Sequence, residues 1–127
     1  MKDSRAENLA KILVGYSTAV QPGEVVSIDG EIGAEPLLRA VYEEVLKAGA
    51  HPMLNVALDG VAASYYALAS DEQLEWISPL TRWMAEEADV RIGIGASANT
   101  RELSAVPPER QTRRQAAMGD LLAQMMD

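Results

Sequence analysis

The segment Pro36–Asp59, PLLRAVYEEVLKAGAHPMLNVALD, predicts a helix that ends at a glycine and leads directly into a mostly apolar strand. Apolar residues recur at helical spacing between Leu37 and Ala48. Pro36 suits a first helical turn, and Gly49 fits a left-handed cap after the last one. The run Met53–Leu58 is apolar except for one asparagine, which is typical of a buried strand. Together these features predict the second half of a βαβ unit.

The rest of the chain alternates in the same way. Apolar runs predict strands at Glu24–Asp29 and Val90–Gly95, on either side of the Pro36 helix and the Met53 strand. This alternation predicts an α/β fold with three layers: a short, mostly parallel sheet of at least three strands with helices on both faces, Rossmann-like or flavodoxin-like. The remaining helices are predicted at Ser4–Val20, Val61–Leu68, Ser70–Trp76, Pro79–Ala88 and from Pro107 onward.

Helical spacing also predicts which side chains are buried. The first helix carries an apolar stripe, and both tryptophans of the crossover helices are spaced like core residues. The residues in these two sets are Leu9, Ile12, Leu13, Tyr16 and Val20, and Trp76 and Trp83.

Bulk composition narrows the class of protein. With 127 residues, 48% of them hydrophobic and 24% charged, residues 1–127 are expected to form one globular domain. The net charge of −8 disfavours nucleic-acid binding, and Arg110, Arg113 and Arg114 are expected to form a solvated helix face. No apolar run approaches the length of about 18 residues that would span a membrane. The lack of cysteine and of an apolar leader fits a cytoplasmic protein.

The last residues, GDLLAQMMD, stop within an apolar helical pattern without a capping residue. Buried Leu and Met side chains each contribute about 1.5–3 kcal/mol, so such a face requires a partner. The expectation is therefore a fragment that leads into another domain.

Ligands of open parallel sheets bind beyond the carboxyl ends of the strands. At that edge the sequence places polar residues that predict an acidic cleft edge able to hold a cation or a substrate amine. Asp and Asn also begin turns and cap helices, which is the alternative interpretation. The residues are Asp29, Glu31 and Glu35 after the first strand, Asp59 after the second, and Asn99, Thr100 and Arg101 after the third.

Two further motifs predict little chemistry. His51 is the only histidine and there is no cysteine, so a zinc site would lack most of its usual ligands, and a structural role is expected for His51. The segment Gly93–Ala98 matches G-x-G-x-x-A, a dinucleotide-binding pattern. It falls on the third strand and no long helix follows at Ala98, so nucleotide binding remains a minor alternative.

Four long segments resemble the N-terminal domain of the aminopeptidase T/aminopeptidase S family of metal-dependent aminopeptidases. They are ENLAKILVGYSTAVQPGEVVSI, EPLLRAVYEEVLKAGAHPML, LASDEQLEWISPL and EEADVRIGIGASANTRELSAVPPERQ. The resemblance implies a two-domain, homodimeric enzyme that uses two divalent metal ions, zinc, cobalt or similar, to remove N-terminal residues from peptides. The family's metal ligands lie in the C-terminal catalytic domain, so no catalytic, cofactor or metal residue is assigned here.

These observations leave two functional hypotheses of different class. The first is an N-terminal domain that supports the peptide cleft and dimerisation of a metalloaminopeptidase and is inactive by itself. The second is a self-contained α/β binding or oligomerisation module.

Overall fold

The computed structural model describes residues 4–95 and 106–125. Helices and strands alternate along these residues, which confirms the predicted α/β class. They are α1 (Ser4–Ile12, continued by a π-helical turn at Leu13–Ser17), β1 (Val25–Glu31), a 3-10 turn (Ile32–Ala34), α2 (Glu35–Lys47), β2 (His51–Ala57), α3 (Val61–Leu68), α4 (Asp71–Glu75), α5 (Pro79–Glu87), β3 (Val90–Ile94) and α6 (Pro108–Met125).

The three strands form one parallel sheet in the order β2-β1-β3. In the register, Val26 of the central strand lies opposite Pro52 on one side and Val90 on the other. This order begins the flavodoxin-like arrangement 2-1-3-4-5, and it places the topological switch point between β1 and β3.

Two compact units make up the chain. The sheet unit comprises residues 1–58 and 87–96, and the helical unit comprises residues 59–86 and 97–127. Each unit has its own buried residues.

In the sheet unit, α1 and α2 pack together, and their buried side chains share one apolar core with the sheet. Burial of a Val, Leu or Ile side chain contributes about 1.5–3 kcal/mol, so this core stabilises the unit strongly. Its buried members are Ala10, Val14, Val20, Val26, Ile28, Leu38, Ala40, Val41, Val45, Ala50 and Ile92.

The apolar stripe predicted for the first helix is wrong in part. Leu9, Ile12 and Tyr16 are exposed, whereas Ala10 and Val14 are buried. Small Ala10 lets α1 approach α2 closely, and the π-helical turn that follows Ile12 adds residues to one turn and rotates the later side chains. The buried residues Ala10 and Val14 are four positions apart, so the buried face of the first helix keeps helical spacing but is offset from the predicted stripe.

The β2 strand is also less buried than its apolar sequence predicts. It occupies an edge of the sheet, and Leu54 and Val56 keep 46% and 42% of their surface exposed. The turn before it is as predicted, because Gly49 has a left-handed φ of +81°. The His51 N–H then donates to the Glu24 carbonyl at 2.8 Å, which starts the pairing with β1.

In the helical unit, a capping box begins α4. The Ser70 hydroxyl accepts from the Gln73 N–H, and the Gln73 side chain accepts from the Ser70 N–H. Leu74 and Leu121 are the buried apolar residues of this unit among the described side chains. Trp76 and Trp83 are exposed by 61% and 52%, so the prediction that they form a core is wrong. For Trp76 the reason is that α4 ends at Glu75 and leaves the tryptophan in extended backbone.

Candidate functional site

The carboxyl edge of the sheet at the switch point is built around a glycine that the sequence did not identify. Gly30 lies inside β1, one residue beyond the predicted end of the strand at Asp29, and opposite Ile94 of β3. A Cβ atom at Gly30 would lie 2.8 Å from Leu38 Cδ2 and 3.1 Å from the Ile94 carbonyl oxygen. A glycine inside an apolar strand is the sequence signal for such a close approach.

Asp29 lies beside this glycine, within β1 and half-buried. Asn55 of β2 lies opposite it in the register, and its Nδ2 donates to Asp29 Oδ1 at 3.1 Å. This cross-strand hydrogen bond fixes the carboxylate on the surface of the sheet, because both partners lie on regular strands. Asp29 is thus a held acceptor inside β1, two residues before the strand ends at Glu31, and not after the strand as predicted. Open α/β sheets bind ligands beyond that carboxyl end.

The two glutamates that follow have different surroundings. Glu31 ends β1 and is buried, on the same face of the strand as Asp29. Glu35 opens α2, where its carboxylate pairs with Arg39 at 2.8 Å. The hydrogen bond and negative charge of Glu35 raise the pKa of Arg39. Glu35 thus lies in the first turn of α2, where a negative charge is favourable, but it does not cap the helix, because the N-cap residue is Ala34 and has no side-chain hydrogen bond.

Asp59 follows β2 and is exposed, immediately before Gly60, whose left-handed φ of +82° starts α3. Asn99, Thr100 and Arg101 lie outside the described residues. Of the seven predicted cleft-edge residues, the structure thus locates Asp29, Glu31 and Glu35 in the sheet unit and Asp59 in the helical unit. The cleft edge itself stays a prediction.

The described residues do not fit a metal centre. No group of three or more His, Cys, Asp or Glu side chains within 4–95 and 106–125 is arranged to hold a metal ion. His51 is exposed at the first position of β2. A protein metal site usually needs three or four such ligands, so no metal chemistry is assigned to these residues.

The G-x-G-x-x-A segment does not show the close contacts of a dinucleotide site. Gly93 lies within β3, and a Cβ atom at Gly93 or Gly95 would meet no other atom within 4 Å. Residues 96–98 lie outside the described residues. The glycines of a nucleotide fingerprint are needed because the backbone is crowded, and these two glycines are not crowded.

In the helical unit, the three arginines of α6 are more than a solvated face. Arg110 donates through Nε to the Tyr66 carbonyl at 2.8 Å, and through Nη2 to the Ala69 carbonyl. Arg114 donates through Nη1 to the carbonyls of Leu74 and Trp76, at 3.2 and 2.7 Å. The last carbonyls of a helix have no partner within that helix, so these two arginines complete the ends of α3 and α4.

The third arginine and the neighbouring tyrosines extend this contact. Arg113 pairs with Glu75 at 2.9 Å, and the Arg114 guanidinium lies 5.3 Å from the centre of the Tyr65 ring. The Tyr65 and Tyr66 rings meet edge to face at 5.4 Å. Burial raises the pKa of Tyr66, and the positive charge of Arg114 opposes part of that rise. The sequence missed this arrangement because the partners are 38 to 44 residues apart.

No helix among the residues that the structure describes is long and apolar enough to cross a membrane.

Comparison with known proteins identifies the family. The model of peptidase family M29, described as thermophilic metalloprotease (M29), matches residues 2–127. Among solved structures, wild-type AmpT from Thermus thermophilus superposes with a TM-score of 0.74 at 21% sequence identity. The match covers 97% of this chain and 32% of the AmpT chain, so this chain spans about a third of the length of AmpT. No curated protein matches. Because the family model covers nearly the whole sequence, the chain belongs to the M29 metallopeptidase family.

Proposed function

We propose that residues 1–127 form a single N-terminal α/β domain of a two-domain metalloaminopeptidase that removes N-terminal residues from peptides. The observation that carries this proposal is the family match over residues 2–127, combined with coverage of only 32% of AmpT. The described residues offer no metal-ligand group, so the catalytic metal ions, zinc, cobalt or similar, are assigned to a C-terminal catalytic domain. A cytoplasmic location and a homodimer belong to the same proposal.

Within that enzyme, the domain is proposed to border the peptide cleft and to support dimerisation. Asp29 and Asp59 would lie at the cleft edge together with Asn99, Thr100 and Arg101. A carboxylate attracts the free α-ammonium group that distinguishes an aminopeptidase substrate from an internal peptide segment. Asp29 suits this role because Asn55 already holds its carboxylate two residues before the carboxyl end of β1.

The first test compares two proteins. The 127-residue chain, and the gene product that joins it to a catalytic domain, are each incubated with Co²⁺, Mn²⁺ or Zn²⁺ and an aminoacyl anilide. The longer protein is expected to hydrolyse the anilide and to lose activity with a chelator, because its catalytic domain supplies the metal ligands. The 127-residue chain is expected to be inactive and to retain no stoichiometric metal after desalting. Hydrolysis by the short chain at a comparable rate would overturn the proposal.

The cleft-edge assignment is tested in the longer protein by Asp59→Asn. Loss of one exposed charge near the substrate ammonium should raise KM about fivefold, equal to roughly 1 kcal/mol, and leave kcat nearly unchanged. Glu72→Gln, which removes an exposed charge from the first turn of α4, is the matched control and should leave both constants unchanged. Equal effects of the two substitutions would refute a specific role for Asp59.

A further inference from the structure

An apolar groove lies beside the edge strand of the sheet unit. Its volume is about 200 Å³, and it is formed between α2 and β2. Leu54 and Val56 form its β2 side, and both are substantially exposed. Tyr42 of α2 contributes a further exposed apolar surface. The lining residues are Ile32, Glu35, Leu38, Arg39, Tyr42, Leu54 and Val56.

The free edge of β2 can be derived from one hydrogen bond. Because the His51 N–H donates to Glu24 of the chain leading into β1, the backbone groups of His51 face β1. Successive residues of a strand direct their backbone groups to opposite edges, so Pro52, Leu54 and Val56 face away from β1. No strand of the described residues pairs with that edge. Proline at the outward position costs no hydrogen bond to β1, as is usual for an edge strand.

This edge has none of the charges that normally keep edge strands apart. Strand β2, HPMLNVA, contains no Asp, Glu, Lys or Arg. The groove lining has one acid and one base, Glu35 and Arg39, which pair with each other. The chain as a whole carries a net charge of −8, so most of its surface would repel a second copy. The groove is locally neutral and can face itself without that repulsion.

We propose that the occupant is a second copy of this chain, joined by antiparallel pairing of β2 with the partner's β2 about a two-fold axis at Leu54. This inference rests on the homodimer proposed above and names its surface. Centring on Leu54 overlaps all seven residues of β2. It forms about four backbone hydrogen bonds, two between the Leu54 residues and one from each Val56 N–H to the partner's Pro52 carbonyl. Both grooves then lie on one face of a continuous six-stranded sheet, where each covers the other's Leu54 and Val56.

The pairing predicts a position-specific cross-link. The chain has no cysteine, so Leu54→Cys introduces a single thiol. In the proposed register, the two copies of residue 54 are about 5.5 Å apart between Cα atoms, which suits a disulfide. Ala57→Cys is a control in the same exposed strand, because Ala57 lies opposite the partner's His51 and roughly 20 Å from its own copy. Leu68→Cys, at a position exposed by 83% on α3, controls for random collision.

Under mild oxidation, the Leu54→Cys chain should form a disulfide-linked dimer at least tenfold faster than either control. Equal rates for the three variants would overturn the proposed edge. Sedimentation equilibrium at roughly 10–500 μM should show a species of twice the 13.7 kDa monomer mass, in the range where small interfaces associate. Leu54→Lys should weaken this dimer at least tenfold, whereas Leu68→Lys should leave its mass distribution unchanged.

Three outcomes separate the edge from the broader proposals. A dimer that Leu54→Cys does not cross-link preferentially overturns this surface and leaves the homodimer standing. A 127-residue chain that stays monomeric at every concentration overturns this surface, and leaves standing a homodimer of the longer protein formed through its catalytic domain. The third outcome concerns the longer gene product that carries Leu54→Cys. If this protein is monomeric and its thiol is protected from maleimide, the groove is covered by the rest of the same chain. That result also overturns the inference. The anilide assay tests peptidase function independently of all three.

Discussion

Replacing Arg114 by Gln should unfold the helical unit at a clearly lower urea concentration than the same replacement at its neighbour Arg113. Arg114 donates to the carbonyls of Leu74 and Trp76 and lies over the Tyr65 ring. Hydrogen bonds from a charged donor contribute about 1.5–3 kcal/mol each, and a partly exposed cation–π contact about 0.5–1 kcal/mol. Because Arg114 is only half-buried, the low end applies, and we expect a loss of about 2–4 kcal/mol.

Arg113 is the matched control because it has the same chemistry one residue earlier. Its partners are the exposed carboxylates of Glu75 and Asp71, at 2.9 and 3.6 Å. Exposed ion pairs of this kind contribute about 0–1 kcal/mol. Its replacement by Gln should therefore have a small effect on stability.

The assay is urea denaturation followed by tryptophan fluorescence. Both tryptophans of the chain, Trp76 and Trp83, lie in the helical unit, so their emission reports on that unit. With a slope of about 2 kcal/mol per M, Arg114→Gln should lower the urea midpoint by about 1–2 M, and Arg113→Gln by less than about 0.5 M. Equal midpoints for the two variants would refute the argument that the helix-end carbonyls, and not the surface charges, make the arginines important.

Two further predictions concern packing and pH. Gly30→Ala should destabilise the sheet unit by about 1–3 kcal/mol, because its Cβ would crowd Leu38 and the Ile94 carbonyl. Gly119→Ala in α6 meets no such contact and should stabilise by about 0.5–1 kcal/mol, and urea midpoints by circular dichroism check both. The raised pKa of Tyr66 contributes stability below the unfolded value of about 10, which is lost as pH rises through the folded pKa. Tyr66→Phe should remove that part of the alkaline loss, measured as the difference between urea midpoints at about pH 8 and 11; an unchanged difference would contradict it.

Local signals in the sequence predicted the main helices and strands because those signals act over a few residues. Pro36 and Gly49 mark the two ends of α2, and Ser70 with Gln73 forms the capping box of α4. The end of β1 was missed for a physical reason. A glycine after an apolar run is typical of the start of a loop, but Gly30 lies in a strand. A side chain at this position would collide with Leu38 and the Ile94 carbonyl of β3.

Features that depend on strand order and on distant partners could not be read from local pattern. The apolar sequence of β2 is the same for a central and an edge strand, so the exposure of Leu54 and Val56 became visible only with the order β2-β1-β3. The sequence pattern predicts Arg110 and Arg114 as surface residues. Their hydrogen bonds to the terminal carbonyls of α3 and α4 depend on the tertiary packing of these helices. For the candidate cleft edge, the sequence predicts which polar residues follow the strands. It does not predict whether Asp29 and Asp59 lie close together, because no sequence spacing relates residues of different strands.

The central strand acquires its second neighbour long after it is itself synthesised. Val25 and Asp89 are joined by two hydrogen bonds of 2.8 Å although 64 residues separate them along the chain. At about 5–20 residues per second, a ribosome needs roughly 3–13 s to add that length. Within this interval α2 and β2 are synthesised, while the side of β1 that will receive β3 still presents unpaired backbone groups. Such an edge recruits other extended chains, so the nascent protein is most prone to aggregation in the interval before residue 94 is added.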